Sequence, residues 1–86
     1  MTQSFSEPVS VQMVFDHRLG RANPQQIFWK NRLYPVTQVG LRHCFRDGRK
    51  LFHIFSLISN DLFFRLQFDT ESLSWTLEEI SDGLTN

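Results

Sequence analysis

Cys44 sits beside His43, so this is the first place to look for a nucleophile and its base. Such a pair works only if the two side chains converge. Neighbours on a strand point to opposite faces, so a strand through this segment predicts a buried Cys44 and an exposed His43, with no dyad. His17, His43 and His53 are the other metal-ligating side chains. Their spacings match no zinc pattern, and no second cysteine supports one. Glu78-Glu79 is a carboxylate pair, but on a strand its members also diverge, whereas general acid–base work needs two groups facing one substrate. The four glycines are scattered at positions 20, 40, 48 and 83, and no phosphate-cradling or nucleophile-elbow motif occurs. The expectation is a chain that is not an enzyme and holds no cofactor and no metal.

Charge is more informative. The formal net charge is +0, yet the signs separate. Between Arg18 and Lys50 lie eight basic residues (Arg18, Arg21, Lys30, Arg32, Arg42, Arg46, Arg49, Lys50) against Asp47 alone, a net of +7. The rest of the chain sets Arg65 against eight carboxylates, a net of −7. Seven of the nine basic residues are arginine, whose planar fork suits phosphate and carboxylate and stacks on rings. Two readings follow. In one, Arg32, Arg42, Arg46, Arg49 and Lys50 form a face that binds nucleic acid, with Trp29, Tyr34 or Phe45 offering rings for base stacking; an acidic protein is the alternative partner. In the other, the basic and acidic halves pair within the fold or between copies. A sequence pI near 6.8 lies below the usual range of nucleic-acid modules.

The elements that must position these residues are strands. No long stretch keeps a 3.6-residue apolar period; alternation of period two recurs instead. Strands are expected at Val9–Phe15, Gln25–Trp29, Leu33–Phe45, Leu51–Ser59, Leu62–Phe68 and Leu73–Glu78, with a loop over Asp16–Pro24. The alternation slips between Val36 and Val39, just before Gly40, which marks a bulge or sharp bend, and Pro35 requires an edge or bulge position. Asp47-Gly48 between two apolar runs is a hairpin signal. Phe64, Leu66, Phe68, Leu73, Trp75 and Leu77 are expected on the core face. The segment Glu78–Gly83 has room for one short helix.

The chain has 86 residues, 41% hydrophobic and 14% aromatic, including nine Phe. That length allows one domain, 1–86, with flexible ends at 1–8 and 82–86. Rings bury much area each, which suits a small core without staples. The fold class expected is all-β, a five- to six-stranded antiparallel meander curled into a small barrel or strongly bent sheet, which removes long open edges. The longest apolar-rich stretch, Leu51 to Ile58, is interrupted by His53 and Ser56, far short of the ~20 residues of a membrane-spanning helix. A lone thiol and an N-terminus without a signal pattern point to the cytoplasm.

The run from Pro24 through Trp29, Arg32 and Tyr34 to Val36, the strand Phe64–Asp69 and the segment Trp75-Thr76-Leu77 resemble a family of small uncharacterised bacterial proteins. The resemblance covers about residues 24 to 82. It implies a β-rich fold. The family has no established activity, so the resemblance implies no function.

Overall fold

The computed structural model describes residues 2–82. They form seven strands: β1 (Thr2–Asp16), β2 (Arg21–Trp29), β3 (Arg32–Pro35), β4 (Gln38–Asp47), β5 (Lys50–Ser59), β6 (Leu62–Asp69) and β7 (Ser74–Asp82). All ladders are antiparallel, in the order β3-β2-β1-β7-β6-β5-β4. The all-β class and the curled antiparallel sheet hold, with β1 beside β7 and the successive strands β3 and β4 at the two edges. There are seven strands rather than five or six because the expected third strand divides at Val36-Thr37.

The curl is produced by two chain segments that each serve two halves of the sheet. The first part of β1 pairs with β7, from Thr2↔Ser81 to Val9↔Trp75, and the second part with β2, from Ser10↔Phe28 to Asp16↔Arg21. The β3–β4 run behaves likewise. β3 pairs with β2, β4 pairs with β5, and the two residues between them tie the halves together. The Val36 N–H donates to the Gln25 carbonyl (2.9 Å) and the Thr37 N–H to the Ile58 carbonyl (2.8 Å). The Thr37 hydroxyl donates to the same carbonyl at 3.0 Å. The sheet is therefore a half-barrel whose two edge strands, β3 and β4, are successive in the chain and meet at one corner. Pro35 lies on edge strand β3, where a missing N–H is tolerated.

Inside the curl lie Ile27, Tyr34, Phe55, Leu57, Phe64, Leu66, Trp75 and Leu77, with Val9, Val11, Trp29 and Phe68 packed against them. Ring contacts link the strands: Tyr34–Phe64 at 5.1 Å, Phe55–Trp75 at 5.3 Å and Phe68–Trp75 at 4.6 Å between centroids. These separations fall in the favourable range for offset and edge-on pairs.

Several expectations are corrected. The loop over Asp16–Pro24 narrows to a turn at 17–20, and residues 21–24 belong to β2. The end 1–8, expected to be flexible, is strand from Thr2 onward, paired with β7. The segment with room for a short helix, 78–83, is strand as far as Asp82, while residues 83–86 lie outside the described residues. Leu73 is not on the core face. It occupies the turn before β7 with φ 62° and is 68% exposed. Phe68 is only half-buried. Cys44, expected to be buried, is exposed, because β4 is an edge strand with no layer over it.

Candidate functional site

The bulge on β4 decides where the arginines point. Val39 is opposite Leu57, a core residue, but the register then shifts and Arg42 is opposite Phe55, also a core residue. One extra residue has been absorbed at Gly40-Leu41. Without it, Leu41, His43 and Phe45 would follow Val39 onto the inner face. With it, Leu41 is turned outward and is 78% exposed. Arg42, Cys44 and Arg46 face inward instead, opposite Phe55, His53 and Leu51. No shift interrupts the register from Arg42 to Asp47, so Arg42 and Arg46 share a side.

Beyond the corner at Val36-Thr37, the start of β2 and the length of β4 form two edges that do not pair with each other. The seam between them holds a cleft of about 370 Å³, lined by Arg21, Asn23, Pro24 and Gln25 on one side and by Val36, Thr37, Gln38, Val39, Gly40 and Arg42 on the other. Arg42 reaches across it. Its Nη1 donates to Asn23 Oδ1 at 3.1 Å, and its guanidinium lies 4.7 Å from the centre of the Phe55 ring. Stacking and one hydrogen bond fix the fork while leaving most of its five donors unused by that bond. Arg21 stands on the opposite wall.

The remaining basic residues are dispersed. Arg32 lies over the Tyr34 ring at 5.5 Å and Lys30 over Trp29 at 4.9 Å, both at the β2–β3 hairpin. Arg49 is in the β4–β5 turn, at the other end of the β3–β4 run. Lys50 is engaged with Asp69 (3.6 Å) and Glu71 (3.9 Å). The expected set therefore divides: Arg42 and Arg46 stand together, Arg49 is at the hairpin tip beyond them, and Arg32, Trp29 and Tyr34 belong elsewhere. The rings expected to stack on bases are occupied. Tyr34 is buried, and the Trp29 indole N–H donates to Glu7 Oε1. Phe45 stacks on Phe52 at 5.1 Å on the outer face.

Internal pairing consumes little of the basic segment. Among the described residues only Arg18, with Asp16, and Lys50 have a carboxylate within 4 Å; Arg21, Lys30, Arg32, Arg42, Arg46 and Arg49 have none. The acidic half is compensated separately. Glu78 and Glu79, expected to diverge, both reach Arg65 (3.6 and 3.9 Å), because a bulge opposite Arg65/Leu66 interrupts the alternation of β7. Asp69 accepts hydrogen bonds from the backbone N–H groups of Glu71 (2.8 Å) and Ser72 (3.3 Å). Its pKa lies below the ordinary aspartate value, first through the Glu71 bond, against the opposing effect of desolvation, with Ser72 and the Lys50 charge adding to the drop.

His43 and Cys44 lie on opposite faces of β4; the histidine that shares the thiol's side is His53, across the ladder on β5. Among the described residues no group of three His, Cys, Asp or Glu could hold a metal ion. No helix of these residues is long and apolar enough to cross a membrane. Sequence reasoning missed Arg21, Asn23, Gln25 and Gln38 as cleft residues, because only the tertiary closure brings β2 and β4 face to face. The one local signal was the slip before Gly40. Comparison with protein families, with curated proteins and with solved structures finds no match.

Proposed function

We propose that this domain is a non-enzymatic binding module that takes an anionic segment of a partner macromolecule at the seam between β2 and β4. The observation that carries the reading is Arg42, held across the seam by Asn23 and Phe55, facing Arg21 and accompanied by Arg46, with no carboxylate paired to any of the three among the described residues. A fork already fixed in place loses little freedom when it binds a carboxylate or phosphate. An exposed free thiol at Cys44 suits a reducing compartment, and we place the protein in the cytoplasm.

Nucleic acid remains one arm of the test. It has arginines to meet it, but Trp29 and Tyr34 are committed to the core side and do not offer a stacking platform. Fluorescence anisotropy with labelled poly-glutamate and with a labelled single-stranded oligonucleotide, at low and moderate salt, checks the reading. The expected outcome is salt-sensitive binding that weakens about tenfold in the Arg42→Ala, Arg46→Ala double variant and is little changed in Lys30→Ala, Arg32→Ala. Equal binding by both double variants, or none by wild type, would sink it.

A further inference from the structure

We propose that the anionic partner is a protein segment with acidic residues four apart, which adds to the free edge of β4 as an extended strand. The inference rests on the binding reading above and specifies its ligand. β4 runs from Gln38 to Asp47, ends the sheet, and has β5 on one side only. An unpaired strand edge offers backbone donors and acceptors that an extended peptide satisfies. Among the described residues, the cross-seam backbone bond at Val36 has no successor beyond Thr37, so the edge is open from Gly40 onward.

Register gives the partner its pattern. Arg42 and Arg46 face the inner side four residues apart, with Cys44 between them, while His43 and Phe45 face outward. An antiparallel strand on this edge places one residue opposite Arg46 and another, four further along, opposite Arg42. Carboxylates at those positions form charge-assisted bonds, and Arg42 then exchanges a neutral bond to Asn23 for a charged one. The residue next to the acid opposite Arg46 falls beside Phe45, which favours an apolar side chain there. The pattern is acidic, apolar, any, any, acidic. A second copy of this chain is a poor occupant. Antiparallel β4–β4 pairing about Cys44 would set Arg42 against Arg46, and like charges directly opposite are destabilising. The carboxylates of β7 cannot supply the edge either, because β7 lies between β1 and β6.

The test uses the full chain and a nine-residue peptide with Glu-Val-Ser-Thr-Glu at its centre. Controls are a peptide of the same composition with the glutamates three apart, two peptides N-methylated at alternate residues in opposite frames, and a single-stranded oligonucleotide of matched charge. The expected result is binding of the parent peptide, about tenfold weaker for the shifted spacing. One N-methyl frame should abolish binding and the other leave it nearly intact, since only alternate N–H groups face β4. Amide exchange should slow at Leu41–Arg46. Arg46→Glu should weaken binding about tenfold or more with an unchanged circular dichroism spectrum, and the peptide controls stand whether or not that variant folds. Binding that ignores spacing and N-methyl frame, or that prefers the oligonucleotide, overturns strand addition and leaves the anionic seam standing. Binding of neither peptide, poly-glutamate nor oligonucleotide overturns both.

Discussion

Phe64 and Phe68 sit four residues apart on one strand and face the same core, yet they differ in depth. Phe64 is fully buried on the central part of β6, against Tyr34, whereas Phe68 lies toward the strand's end beside Trp75 and is half-buried. Removing a ring that nothing can replace leaves a cavity. Phe64→Ala should therefore cost about 3–5 kcal/mol and Phe68→Ala roughly 1–3 kcal/mol in denaturant unfolding. Equal losses would mean that the depth ordering along β6 is wrong. Asp69, next in the chain, gives a prediction in pH. Its folded-state pKa is lowered, so the folded protein binds fewer protons there than the unfolded chain. The stabilising contribution is complete above the unfolded carboxylate range near 3.8 and is lost as pH falls through the lower folded-state value. Asp69→Asn keeps an acceptor for the Glu71 and Ser72 N–H groups but cannot titrate. Its stability should fall less steeply than wild type below about pH 4, measured by urea unfolding at several pH values. Parallel curves would remove Asp69 from the account.

At the scale of elements, two glycines act by different physics. Gly48 has φ 64° at the first central position of the β4–β5 hairpin, and a Cβ there would meet nothing within 4 Å. Gly48→Val is disfavoured by backbone conformation alone. Gly40 has no such conformation, but its Cβ would lie 3.2 Å from the Ser56 carbonyl oxygen, a backbone atom of β5. Gly40→Ala should cost about 1 kcal/mol by pushing the bulge away from β5. Because the bulge turns Arg42 inward, the same change should weaken poly-glutamate binding; a variant destabilised but binding normally would separate the bulge from the site. Most elements were legible in the sequence for definite reasons. Leu62–Phe68 alternates cleanly, Asp47-Gly48 marks a turn by composition, and the slip between Val36 and Val39 gave away the bend. The split of the third strand was not legible, since it is the tertiary partners of Val36 and Thr37, Gln25 and Ile58, that separate β3 from β4. Leu73 misled because apolar character continued the alternation into a turn. The Arg42–Arg46 pair was readable from even spacing, whereas Arg32's separation from it depends on closure of the whole sheet.

For the molecule as a whole, the half-barrel is fastened unevenly. Around most of the ring each strand has neighbours on both sides, and β5, β6 and β7 carry the fully buried Phe55, Leu57, Phe64, Leu66 and Leu77. Among the described residues, the seam is held by the Val36 and Thr37 backbone bonds, the Thr37 hydroxyl bond to Ile58 and the Arg42–Asn23 side-chain bond. The charge follows the same division. Among the described residues, the arginines of β4 have no carboxylate partner, while the Glu78 and Glu79 carboxylates of β7 are matched to Arg65 within the sheet. Local opening should therefore begin at β4 and the first residues of β2, where edge amides and uncompensated charge coincide, and reach β6 only with global unfolding. Native-state amide exchange should order accordingly, with Phe64 and Leu66 slowest and His43 and Phe45 of β4, whose amides face β5, faster by a factor of ten or more, corresponding to about 1.4 kcal/mol or more in opening free energy. Sulfate at moderate concentration should slow exchange in β4 selectively by occupying the arginines, beyond its general stabilising effect on the rest of the sheet. If β4 exchanges as slowly as β6, or if sulfate protects every strand alike, the seam is not the weak and charged line that the topology makes it.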